Sequence, residues 1–211
     1  MTPAQSLIET DADVTRGADW LAAQCPRMKD ALNQTGPLPL RRKPDGFGEL
    51  VSAIVSQQVS VASARAISAR LNEAGMMQPE RVDDTSDETL RGLGLSRQKA
   101  RYLKALAAAR IDYVALRDLP DEEVVQILTA VPGIGRWTAE IYAMFSLGRP
   151  DVFAAGDLAL QEAARSLYAL DARPTERALR ERAEAWSPWR SVAARTLFAY
   201  YRVIKKREGV A

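Results

Sequence analysis

The sequence predicts an all-α protein. Apolar residues recur at helical spacing along nearly the whole chain, and no segment sustains the period-two alternation and β-branched enrichment of a strand. The composition is that of an ordinary globular chain, 47% hydrophobic and 27% charged, with 12 Gly and 11 Pro in 211 residues. A chain of that length makes one domain, or two small interleaved ones, and buries a core without covalent staples. No internal repeat or linker-like stretch divides it.

Element by element, the first strong apolar stripe is Phe47, Leu50, Val51, Ile54 and Val55. It breaks at Gln57-Gln58-Val59-Ser60, because the next stripe, Val61, Ala64, Ile67 and Leu71, is out of phase with it. Ser60 is placed to cap the new helix, which leaves Gln57 and Gln58 at a helix junction. Leu103, Leu106 and Ala107 mark another helix, and Val124, Ile127 and Leu128 a third stripe. The latter helix starts with Pro120 in its first turn and Asp121, Glu122 and Glu123 against the positive end of the dipole. Val131-Pro132-Gly133-Ile134-Gly135 then makes a tight turn into a helix from Arg136 to Leu147, closed by Gly148 and Pro150. An apolar loop from Asp151 to Gly156 follows, Asp157 opens a further helix, and a basic helix begins after Trp186-Ser187-Pro188-Trp189.

One cysteine, Cys25, and no histidine exclude a disulfide framework, a tetrahedral zinc site, an iron–sulfur cluster and any triad that needs imidazole. Catalysis must rest on carboxylates, lysine, tyrosine, hydroxyls or an oxygen-liganded ion. No apolar run approaches the ~18–20 residues of a spanning helix, and the opening MTPAQSLIETDADV is acidic where a signal peptide would be basic and then apolar. The chain reads as soluble and intracellular. The formal charge is only +2, yet Arg173 to Arg207 carries ten Lys and Arg against three acids. That excess suits either a solvated helix face or one that tracks phosphates.

Gly133 and Gly135 place backbone N–H groups at a helix N-terminus with no Cβ in the way, a geometry that can grip a phosphate oxygen. A G-x-G by itself equally marks a sharp turn between helices.

The run from Leu128 to Ala139, LTAVPGIGRWTA, resembles the hairpin of the helix–hairpin–helix DNA glycosylase superfamily, and Asp157 follows at the family's spacing of roughly twenty residues. Three further segments agree: Leu50 to Ser60, Gly94 to Ala100, and Trp186 to Ala193. Together they are similar to the AlkA-type branch, DNA-3-methyladenine glycosylase II, over about residues 45 to 205.

The resemblance implies two interleaved helical subdomains with a DNA cleft between them. One spans 46–149 and ends in the hairpin at about 121–147; the other combines 1–45 with 150–211. It implies excision of alkylated purines by hydrolysis of the N-glycosidic bond, with Asp157 as the catalytic carboxylate. By the residues alone, Asp157 is also a helix N-cap. Trp137 stands where bifunctional members carry a Schiff-base lysine, so no lyase step is expected. Gln58 matches the residue that fills the gap left by an extruded nucleotide, where composition alone would make it a polar corner. Trp137, Phe198 and Phe47 are candidates for the base pocket, by cation–π contact with an alkylated purine, or else core residues. Gly133, Ile134, Gly135, Arg136 and Thr138 are expected at the DNA backbone.

No cofactor is implied beyond a monovalent cation held by hairpin carbonyls, and no other metal. The expected partner is double-stranded DNA with alkylated bases, engaged by a monomer in the cytoplasm, on the nucleoid, with no membrane. The chain departs from the longer bacterial enzymes in four ways. It has no β-rich N-terminal domain, Gly156 stands where a second acid precedes the catalytic one, Phe198 replaces a tryptophan, and Ile141 an aromatic. The rival readings are a non-catalytic helix–hairpin–helix DNA-binding module, which has no use for a carboxylate at position 157, and a glycosylase for oxidised or mismatched bases.

Overall fold

The computed structural model describes residues 7–207, and among these every regular element is helical. The terminal residues 1–6 and 208–211 of the expected second subdomain lie outside the described residues. The chain divides into two compact units, Lys43–Tyr142 and a discontinuous one of Met1–Arg42 with Ala143–Ala211.

In the continuous unit, α3 (Phe47–Ser56) buries Phe47, Leu50, Val51, Ile54 and Val55 against α4 (Val61–Glu73) and α7 (Arg97–Ala108). The short helices α5 (Pro79–Asp83) and α6 (Asp87–Gly92) also pack on α7. Ser60 caps α4, its Oγ accepting from Ser63 N at 3.1 Å. The expected α4 stripe narrows, however, to Ile67 and Leu71. Val61 is 69% exposed, because the first turn of α4 projects beyond the body it packs on.

The acid-led helix α8 (Asp121–Thr129) has Pro120 as its N-cap, one position before the first turn. Its buried face is Val124, Val125 and Leu128, and Ile127 is 37% exposed. Nine residues are too few for periodicity alone to choose between Val125 and Ile127. From the hairpin, α9 (Arg136–Tyr142) runs back along α8.

The sequence reading carries that helix to Leu147. The helical backbone does reach Leu147, but from Ala143 it widens into a π turn, Ala143–Leu147, with all five residues buried. The turn belongs to the discontinuous unit, where the buried Arg195 donates to Met144 O at 3.3 Å and lies 4.8 Å from the Phe145 ring centre.

The discontinuous unit packs α1 (Asp11–Gln24), α2 (Pro26–Thr35) and α10 (Leu158–Leu167) on the long α12 (Arg190–Arg207), with α11 (Glu176–Ala183) against α10. Close approach of α1 to α12 leaves no room at Gly17, where a Cβ would lie 2.6 Å from Val192 Cγ2. Burial among Arg42 and Arg41 pulls the Arg195 guanidinium down to about 10, desolvation being the main cause. Its donors are taken by the carbonyls of Leu40, Ser191 and Met144.

Candidate functional site

Asp157 is the N-cap of α10. Its Oδ1 accepts from Ala159 N at 2.8 Å and Leu160 N at 3.2 Å, so two of the helix's orphan donors aim the carboxylate. The side chain is half-buried, and it sits at the positive end of the α10 dipole.

The loop that delivers it, Asp151 to Gly156, is tied down almost residue by residue. Asp151 takes a two-pronged pair from Arg190, at 2.9 and 3.0 Å, and accepts from Ser187 Oγ at 2.8 Å. Ser191 Oγ donates to Val152 O at 2.8 Å, Gln161 Nε2 to Ala155 O at 2.9 Å, and Arg180 to Phe153 O at 3.4 Å. The Phe153 ring lies 5.3 Å from the buried Trp186. The Trp186–Ala193 segment thus acts as the clasp of the Asp157 loop. Sequence reasoning missed Asp151 and Arg180, whose partners lie 39 and 27 residues away, and Gln161, which reaches back six residues to Ala155 O.

Gly156, which precedes Asp157, faces the carboxylate of Glu176 on α11. A Cβ at 156 would stand 3.1 Å from Glu176 Oε2, and the same carboxylate pairs with Arg180 at 2.8 Å.

In the hairpin, Gly133 has φ +93° and lies against Tyr102, while a Cβ at Gly135 would meet nothing within 4 Å. Ile134 is buried and its N–H donates to Val131 O at 3.1 Å, so this residue anchors the turn from inside. Thr138 is buried as well. Arg136, expected at the DNA backbone, commits its guanidinium within the protein. It makes a two-pronged pair with Glu122 at 2.8 and 3.1 Å and donates through Nε to Glu140 at 3.0 Å. Hydrogen bonding to Glu122, and then to Glu140, raises its pKa. That tie joins α8 to α9 and sets the hairpin, while the Arg136 side chain keeps 44% of its surface exposed. Gly133 O accepts from Gln57 Nε2 at 2.9 Å. The hairpin carbonyls of Val131 and Gly133 thus each accept one hydrogen bond within the protein.

Gln57 ends α3 and Gln58 follows with φ +55°, a left-handed backbone in a residue that has a Cβ. Its side chain is exposed. Lys99 Nζ donates to the carbonyls of Val55 at 2.6 Å and Gln57 at 2.7 Å, and burial pulls its pKa below the ordinary value.

The aromatic candidates separate. Trp137, on the first turn of α9, is 46% exposed, an unusual position for so large an apolar surface. Phe198 on α12 is half-buried, its ring 6.3 Å from that of Phe145. Phe47 is 6% exposed and lines a cavity of about 250 Å³ with Leu106, Ala107 and Tyr113. It is a core residue of α3, which sets it apart from the base-pocket candidates.

Residues 51–188 match the model of the HhH-GPD superfamily base excision DNA repair protein. The chain is 35% identical over 161 residues to DNA-3-methyladenine glycosylase 1 of Schizosaccharomyces pombe, covering 72% of this chain and 71% of that one. A crystal structure of a DNA-3-methyladenine glycosidase from Bacillus halodurans superposes with a TM-score of 0.82 at 34% identity, covering 90% of this chain and 91% of that one. A Schizosaccharomyces pombe 3-methyladenine DNA glycosylase in complex with abasic DNA superposes with a TM-score of 0.74 at 30% identity, covering 87% of this chain and 95% of that one.

Proposed function

The chain belongs to the HhH-GPD superfamily of base excision DNA repair proteins, and from that premise we propose that it is a monofunctional DNA glycosylase that releases alkylated purines, of the 3-methyladenine type, from duplex DNA. The observation that carries this reading is Asp157: a carboxylate aimed by its own helix cap, on a loop held rigid by Trp186, Arg190 and Gln161. A group that must oppose a transient charge works best when it need not move to do so.

The chemistry follows from the leaving group. An N-alkylated purine is already cationic, so it departs neutral with the electron pair of the glycosidic bond. The sugar is left with oxocarbenium character, which the Asp157 carboxylate opposes. Water then bonds to C1′ on the exposed face and gives up a proton, to Asp157 or to solvent. The products are the free base and an abasic site. No amine attacks the sugar, since Trp137 stands where an imine-forming lysine would be needed.

In this reading Trp137, half exposed at the start of α9, and Phe198 provide electron-rich surface for the cationic base. Gly133 and Gly135 bring backbone N–H groups to a phosphate, and Gln58 fills the vacancy left by the flipped nucleotide. The protein acts as a single chain.

Incubation of the purified protein with methylated duplex DNA, followed by chromatography of the released bases, tests the proposal. Release of 3-methyladenine or another alkylpurine supports it. Tight duplex binding with no base released points instead to a DNA-binding module.

A further inference from the structure

The Gly94–Ala100 segment has no part in the reaction as described so far, yet it opens the helix that reaches both DNA-directed turns. Gln98, Lys99 and Tyr102 lie within one turn and a little more of α7. Tyr102 fills the face of Gly133 that lacks a side chain, and Gln98 Nε2 donates to its hydroxyl at 2.5 Å. Lys99 Nζ donates to Val55 O in the last turn of α3 and to Gln57 O at its C-cap, at 2.6 and 2.7 Å. Those carbonyls have no intrahelical donor and sit at the negative end of the α3 dipole, where an ammonium is the favoured partner. Gln57 then passes the connection on, through its amide to Gly133 O at 2.9 Å. One helix therefore braces the hairpin at Gly133 and the Gln57–Gln58 turn together.

Two features show that the turn needs such a brace. Gln58 is held at φ +55°, which an L residue keeps only when its surroundings over-determine it. A cavity of about 410 Å³, lined by Gln57, Gln58, Val59, Gly94, Lys99 and Tyr102, runs beside the turn. The turn is open on that side, and polar ties from Lys99 and Gln57 hold it in place.

We propose that Lys99 is a positioning residue for base extrusion, which clamps the Gln57–Gln58 turn so that Gln58 is presented to the duplex in register with the hairpin. This rests on the reading of Gln58 as the residue that fills the duplex. A lysine that served only general stability would affect all substrates alike; a clamp affects only those in which a stacked, paired nucleotide must be displaced.

The test compares Lys99→Met, which keeps the stem and loses the donor, with Lys99→Arg, which restores donors, and with Gln58→Ala and the double variant. Single-turnover excision is measured from paired and from mismatched alkylated duplex, and amide hydrogen exchange is followed at residues 57–60. Lys99→Met is expected to slow excision about tenfold from the paired duplex and less than about twofold from the mismatched one, with exchange of the turn amides faster by about tenfold. Lys99→Arg recovers most of both, and the double variant is no slower than Gln58→Ala alone. Equal slowing in both contexts, additive losses in the double variant, or unchanged exchange overturns the clamp. If Gln58→Ala shows no dependence on context, the reading of Gln58 falls and the role of Lys99 with it; a context-dependent Gln58→Ala beside a silent Lys99→Met overturns the clamp alone. Should Lys99→Met fold poorly, Lys99→Gln takes its place with the same expected split.

Discussion

Tyr102 occupies the face of Gly133 on which a side chain would grow: an added Cβ would overlap the ring and lie 2.9 Å from Tyr102 Cβ, at a residue whose φ is +93°. Gly135, two residues on, has open space at the same point. The absence of a side chain is thus required by packing at Gly133 and not at Gly135.

Gly133→Ala is expected to lose about 3 kcal/mol of stability, from the positive φ and the overpacking together. Gly135→Ala should stay within about 0.5 kcal/mol of the parent, yet weaken binding to damaged and undamaged duplex alike. Thermal unfolding and duplex titrations separate the two. Loss of lesion binding alone in a folded Gly135→Ala protein would contradict a backbone contact there.

Asp157→Asn keeps an N-cap acceptor and loses the charge. Its melting temperature should match the parent, and its affinity for abasic DNA should survive, while base release falls by about a thousandfold or more, as for other removed electrostatic stabilisers. Asp157→Ala should be as inactive and less stable by about 1 kcal/mol, because the donors of Ala159 and Leu160 lose their partner. Parent-like turnover of Asp157→Asn on methylated DNA would remove Asp157 from the mechanism.

Borohydride added during turnover should trap no covalent protein–DNA adduct, and strands should break only after alkali or an added endonuclease. The basis is Trp137, which carries no amine to form an imine. A trapped adduct would show that some other amine reaches C1′.

Gln58→Gly relieves a left-handed backbone, and it should stabilise the protein by about 1 kcal/mol. It also removes the side chain that fills the duplex, so excision from paired DNA should slow even as the melting temperature rises. A fluorescent base analogue at the lesion should report less extrusion. A variant that is both more stable and as fast on paired duplex would return Gln58 to the role of a corner residue.

Much of this was legible in the sequence because it is local. Ser60 as a cap and the phase break at Gln57-Gln58 depend on contacts within about one helical turn. So does Asp157 at the start of α10, and the hairpin glycines announced their turn. The side-chain partners of those same residues were not legible. Nothing local says that Arg136 pairs with Glu122 and Glu140, or that Phe47 is 6% exposed on the inner face of α3.

The sequence by itself determined the all-helical class, the turn at Gly133–Gly135 and Asp157 as a helix N-cap, since helical period, capping and turn chemistry act between residues up to four apart. Only the tertiary structure decided that Glu176 stands against Gly156, that Lys99 and Tyr102 brace two turns from one helix, and that α9 widens into a buried π turn at Ala143. Those pairings join residues distant in sequence, and which of them meet is set by how helices pack rather than by any local preference.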